Sequence, residues 1–221
     1  MVKGQHLHNV VIVGSNPTAA TQLTYLAGNA MNRVYFTADL HFGHAAMLKH
    51  SLKRPFAEKD ETTAHDEWLL DLWWRTVDCG DTVYILGDLT GYRDEAARDL
   101  LEKLPGRKYL IEGNHDKAVN PFHNYFEEVC QLKEVKFKKG DYSFLQGNFQ
   151  VVMCHYPLLT WNNKRKGTVM LHGHCHGALD KFNAWSPDLR YDVGLDSQMA
   201  NLHFVKLEEI YQAAMEKRNL A

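Results

Sequence analysis

From Arg33 onward, short apolar runs alternate with segments whose apolar residues recur at helical spacing. Val34-Tyr35-Phe36-Thr37 is a β-branched and aromatic run that breaks into Ala38-Asp39-Leu40-His41, which predicts a strand ending in a polar turn. Leu69, Leu72, Trp73 and Thr76 fall on one stripe, predicting a helix over Thr63–Thr76 whose aromatic face is core. Thr82–Leu86 reads as a buried strand running into Gly87-Asp88. Asp94 is expected to cap a helix that presents Ala97, Leu100, Leu101 and Leu104 and is stopped by Pro105-Gly106. Lys108–Glu112 supplies a further strand, ending in Gly113-Asn114-His115-Asp116. This half therefore reads β-α-β-α-β, with a polar cluster after each strand.

The second half changes character. Val135–Lys138, Tyr142–Leu145, Gln150–Cys154, Val169–His172 and Tyr191–Val193 are strand candidates joined by turns such as Lys139-Gly140-Asp141, and a closing helix is expected near Leu207–Lys217. Such β-α-β units followed by a strand-rich half predict an α/β domain of two packed sheets with helices outside. Residues 1–30 lack both periods and most charge, and the domain is expected over 31–221. A disordered leader and a mis-assigned start, with Met31 as the true one, are both readings of that stretch. Gly14-Ser15-Asn16 carries one glycine where nucleotide-binding fingerprints need two or three, so it predicts no phosphate loop.

Composition narrows the function classes. The chain has 221 residues with 45% hydrophobic content, enough for a sizeable core. Its 25 Lys+Arg against 27 Asp+Glu argue against a general nucleic-acid coat, so extended nucleic acid is not an expected partner. No apolar run approaches the roughly 18 residues that a membrane-spanning helix needs, and no membrane partner is expected. Cys79, Cys130, Cys154 and Cys175 form no CxxC pair, which predicts reduced thiols and a cytoplasmic location. What stands out is histidine: many of the 13 sit beside Asp, Asn and Gly.

Five polar clusters occur in order: Asp39-x-His41, Gly87-Asp88, Gly113-Asn114-His115-Asp116, His155, and Gly173-His174-Cys175-His176. Most follow a strand directly, and strand ends are where ligand crevices form. Carboxylate, amide oxygen and imidazole donors without a thiolate requirement suit a pair of Mn, Fe, Zn or Mg ions better than a closed structural zinc site.

These clusters, in this order, resemble the signature of the calcineurin-like metallophosphoesterase superfamily. Within it, ADLHFGH (Ala38–His44), Arg54-Pro55-Phe56, VYILGDL (Val83–Leu89), GNHD (Gly113–Asp116) and LHGHCHG (Leu171–Gly177) resemble a small bacterial and phage phosphoesterase group. The resemblance implies a four-layer α/β/β/α fold, with two mixed β-sheets flanked by helices. It also implies two divalent metal ions, Mn foremost with Fe, Zn, Ni or Mg as alternatives. One ion would be held by Asp39, His41 and His176, the other by Asn114, His155 and His174, with Asp88 bridging. A water shared by two cations is acidified and supplies hydroxide near neutral pH for in-line attack on phosphorus. His115 is left to face the phosphate as general acid or charge stabiliser, with Asp116 orienting it.

Around this set the sequence leaves weaker candidates for substrate contact. His44 either meets substrate or caps a helix. Trp161 with Lys164 and Arg165 is either a solvated loop or an aromatic platform on a basic rim, and Arg54 is a similar candidate. His172 is expected to alternate away from the site, and Cys175 to be a small filler. The expected activity is hydrolysis of a small phosphoester, diester before monoester. A nuclease using the same site and a catalytically silent scaffold are the alternatives.

Overall fold

The computed structural model describes residues 32–49, 53–56 and 58–219, so the expected leader at 1–30 lies outside the described residues. Strands β1 (Val34–Thr37), β2 (Thr82–Ile85), β3 (Arg107–Ile111) and β4 (Glu128–Cys130) run parallel in one sheet. The two-residue β9 (Val205–Lys206) joins β1 antiparallel, giving the order β4-β3-β2-β1-β9. A second mixed sheet orders β5 (Leu132–Phe137), β6 (Phe149–Cys154), β7 (Val169–His172) and β8 (Arg190–Asp192), with only the β5–β6 pair antiparallel.

The alternation of side chains along each strand builds the layers. Val34 and Phe36 point with Tyr84, Leu86 and Ile111 toward Val151, Met153, Val169 and Leu171, forming the core between the sheets. Helix α5 (Leu207–Asn219) closes this core with Leu207, Ile210 and Ala214. Tyr35, Val83, Ile85 and Leu110 face the other way. They pack on Leu69 and Trp73 of α2 (Thr62–Thr76) and on Leu100 and Leu101 of α3 (Asp94–Lys103). Both faces of β1 are thereby covered, which explains why its residues are all apolar or aromatic apart from Thr37. On the far face of the second sheet, Val152 and Met170 pack with Trp161 and Leu158. The short helices α1 (Ala45–Leu48) and α4 (Asp180–Trp185) complete the helical set. No helix among the described residues is long and apolar enough to cross a membrane.

Two local expectations are corrected. Tyr142–Leu145 is a turn, closed by Leu145 N–H on Tyr142 O, and not a strand. Its aromatic residues suggested a ladder; half-buried, Tyr142 instead meets Phe137 edge-on and stacks on Phe144, whose ring tilts against Tyr211, so packing decided where propensity misled. Asp94 does not cap α3 either: it is the first helical residue and makes no capping bond through its side chain.

Because β1, β2 and β3 are parallel, their C-terminal ends share one edge of the first sheet. The same holds for β6, β7 and β8 in the second. A bridge between Ala38 and Gly194 ties these two edges together. That edge is where the polar clusters meet.

Candidate metal centre

Two groups of convergent donors form there: Asp39, His41 and His176, and Asp88, His155 and His174. Within each group the ligating atoms lie within 4.8 Å of one another. Asp88 belongs to the second group and also reaches the first, its Oδ2 lying 3.7 Å from His41 Nε2 and 3.6 Å from His155 Nε2. Asn114 Oδ1 lies 3.0 Å from His155 Nε2.

The chain is bent sharply to achieve this. Asp39, His41, Asp88, His174 and His176 all have positive φ, between 46° and 68°. This is a region that residues with a Cβ seldom occupy, and it clusters at functional sites where the surroundings over-determine it. Close backbone approach does the over-determining. A Cβ on Gly87, whose φ is +88°, would stand 2.3 Å from His155 Nδ1, and one on Gly113 would stand 2.3 Å from Asp88 Oδ1. His174 N–H donates to both Asp39 oxygens, at 2.9 and 3.1 Å, and His115 N–H donates to Asp88 Oδ1 at 2.8 Å.

The donor chemistry fits divalent cations. His155 Nδ1 lies 2.8 Å from Leu86 O, which can only accept, so Nδ1 carries the proton and Nε2 presents a lone pair to Asn114 Oδ1 and Asp88 Oδ2. His176 Nδ1 likewise donates to Asp196 Oδ2 at 2.9 Å, leaving its Nε2 lone pair facing His41 Nε2 at 3.3 Å. Acceptors thus converge on acceptors, with a carbonyl or carboxylate fixing each tautomer from behind, an arrangement typical of metal-ligating histidines. Burial, with Asp192 and Asp88 nearby, pushes the Asp39 carboxyl well above its usual range. Burial and the neighbouring His176 hold His41 well below the usual imidazole range. A cation would offset the first and matches the neutral imidazole of the second.

Several expected contacts take different places. Arg54 does not line a substrate surface: it is only 7% exposed, beneath the Asp39–His41 turn. Its guanidinium forks onto Asp196 (3.1 and 2.8 Å) and donates to the carbonyls of Asp39 and Leu40. It also donates to His65 Nε2, which fixes a chain through Asp66 to Gly43 N–H and the Tyr92 hydroxyl. Asp116 does not orient His115. Its carboxylate accepts the backbone N–H groups of Asp88, Leu89 and Gly113, stitching two ligand turns together. Trp161 is no platform: it is 9% exposed, and its indole donates to Thr168 O. Lys164 is held by Asp188 and Leu159 O while lying over the Trp161 ring, and Arg165 adjoins it in a shallow depression reaching Arg218.

His115 and His44 do sit at the centre's rim. The His44 ring lies 4.8 Å from that of His115 and 5.3 Å from that of His41, and although His44 occupies the N-cap of α1 its side chain makes no capping bond. His172 is turned away into Asn183, and burial pushes it down to about 4.

Sequence reasoning missed Asp196 and Asp192. Asp196 is the shared partner of Arg54 and His176. Asp192 accepts the N–H groups of Gly177 and Gly194, and burial pushes its carboxyl up to about 7. Neither belongs to a histidine-bearing motif, and their only signal was an acidic residue at each end of Asp192-Val193-Gly194-Leu195-Asp196. Asp196→Asn is expected to weaken cation binding at the Asp39–His41–His176 group by about 10–100-fold, the usual cost of a lost supporting carboxylate. A two-site metal titration checks this: the Asp88–His155–His174 group should keep its affinity.

The comparisons with known proteins agree with this geometry. The calcineurin-like phosphoesterase profile matches residues 32–200. The Gene 66 protein of Mycobacterium phage D29 is 31% identical over 190 residues, covering 76% of this chain and 89% of that one. The phage L5 Gene 66 protein is 29% identical over 67% of this chain and 80% of its own length. An uncharacterized protein of Methanocaldococcus jannaschii is 30% identical over 82% and 90% of the two chains. A crystal structure of an Aquifex aeolicus protein of unknown function superposes with a TM-score of 0.58 at 20% identity, over 82% of this chain and 99% of that chain, a likeness of fold. The profile match spans most of the described domain and every residue of the two donor groups, and the chain belongs to the calcineurin-like phosphoesterase family.

Proposed function

We propose that the chain hydrolyses small phosphate esters with the help of two divalent cations, Mn foremost, and cleaves diesters better than monoesters. The observation that carries this reading is the position of Asp88, a carboxylate of one donor group whose Oδ2 also lies 3.7 Å from His41 Nε2 of the other. Asp39, His41 and His176 would hold one cation, and Asn114, His155 and His174 the other, with Asp88 shared. When bound, the cations supply Lewis acidity toward the phosphoryl oxygens and a water acidic enough to serve as nucleophile at neutral pH.

The chain's own residues do the rest. His115 is exposed, fixed through its backbone on Asp88, and its ring stands beside those of His44 and His41 without belonging to either donor group. From there its imidazole can give a proton to the departing oxygen. His44 shares that rim and is placed to meet the same phosphate. Arg54 supports the diester preference by its absence from the rim: neutralised by Asp196, it adds no clamp for the second charge of a monoester.

The test measures metal content and turnover on an aryl phosphomonoester, an aryl phosphodiester, a cyclic nucleotide and a dinucleotide. Two equivalents of metal with the diester cleaved fastest is the expected result. Faster monoester cleavage overturns the preference, and two bound equivalents with no turnover on any substrate would make the chain a scaffold.

A further inference from the structure

We propose that Tyr156 and the cleft beside it form a subsite for a nucleobase carried by the phosphoester. The inference rests on the phosphoesterase reading above and names the substrate class for that site.

With Trp161 buried, the exposed aromatic at the centre is Tyr156, 45% exposed. Its ring stands edge-on to two histidines of one donor group, with centroids 5.0 Å from His155 and 4.8 Å from His174. The ring is therefore held at the rim of the centre against His174 and against His155, whose own ring is fixed on Leu86 O. Beside it opens a cleft of about 310 Å³ lined by Tyr156, Cys154, Glu112, Gly113, Lys117 and Gln131. That volume falls at the small end of ligand pockets, roughly 300–1,000 Å³. Cleft and centre share a wall, because the Gly113 backbone that lines the cleft also abuts the Asp88 carboxylate. A phosphate at the donor groups therefore has its substituents within reach of the cleft.

The chemistry of the lining selects the substituent. Tyr156 offers a π surface, and every base can stack on one. Glu112 brings a carboxylate acceptor, Gln131 an amide that both donates and accepts, and Lys117 an ammonium. Among the described residues, none of these three side chains has a hydrogen-bond partner. A flat ring with donors and acceptors along its edge uses both features, whereas an alkyl group uses neither polar edge nor π face.

Calorimetry on the full chain loaded with Mn²⁺ tests this with three ligands: adenosine 5′-monophosphate, ribose 5-phosphate and inorganic phosphate. The nucleotide should bind about tenfold more tightly than the sugar phosphate, the order of one base–aromatic stack. Tyr156→Phe should keep that margin and Tyr156→Ala should erase it, with phosphate affinity unchanged in both. Equal binding of nucleotide and sugar phosphate to the unmodified protein, which needs no variant, overturns the subsite while leaving the phosphoesterase reading intact. So does a margin that survives Tyr156→Ala. If Tyr156→Ala weakens phosphate and nucleotide alike, the ring supports the histidines and not a base. If phosphate fails to bind the metal-loaded protein at all, the phosphoesterase reading falls, and the subsite with it.

Discussion

Asp88→Asn is expected to give a folded protein that holds neither cation firmly and has lost nearly all turnover. The substitution keeps the size of the side chain, and its Oδ1 can still accept the His115 N–H. The backbone also tolerates it, because Asp88 sits at φ 55° and asparagine enters the left-handed region readily. What disappears is a negative charge set between His41 Nε2 and His155 Nε2, so both donor groups lose their shared anion together. The fall should exceed the roughly 10–100-fold that a lost supporting partner costs. Melting temperature, a two-site metal titration and diester turnover check the three parts. A variant that binds two equivalents and turns over normally would remove Asp88 from the shared position.

His115→Gln should have the second-largest effect and a different signature. Both cations should stay, because His115 belongs to neither donor group and its contact with Asp88 is made by the backbone. Turnover should still fall by about 10²–10⁴, the range for a positioned general acid. The fall should shrink as the leaving group improves, since a good leaving group needs little protonation as its bond breaks. A loss that is uniform across leaving groups would assign His115 to charge stabilisation on the phosphoryl oxygens. His155→Gln provides the contrast: it removes a lone pair from a donor group, so excess metal should restore part of the rate. Rescue of His115→Gln by metal, and not of His155→Gln, would reverse the two roles.

The legible parts of this protein were those written in neighbouring residues. Runs such as Val34–Thr37 and Val169–His172 are strands at the bounds read from their apolar character, because a strand buried on both faces needs every residue apolar or nearly so. Of the stripe Leu69, Leu72, Trp73 and Thr76, Leu69 and Trp73 are buried in α2, while Leu72 and Thr76 are only half-buried. Short pieces escaped: β9 is two residues long and exists only because β1 offers it an edge.

The roles of single side chains were harder, because a role depends on where the side chain points. Arg54 looked like a substrate contact, yet the partner that draws it inward, Asp196, lies 142 residues away. Asp116 stands next to His115 in sequence, but its carboxylate is spent on N–H groups of Asp88 and Leu89, 28 and 27 residues earlier. Trp161 is drawn under by Val152 and Met170, while Tyr156, which belongs to none of the five polar clusters, remains exposed.

By itself, then, the sequence determined the family, the two-sheet architecture and the order of polar turns at strand ends, since local periodicity and motif spacing encode these directly. Only the tertiary structure decided which donors share a group, that Asp88 of one group also reaches His41 of the other, and that Arg54 faces inward. The physical reason is that parallel strands of two sheets deliver their C-terminal turns to one edge. There, positive-φ turns and close-packed glycines aim each side chain through contacts made between residues far apart in the chain.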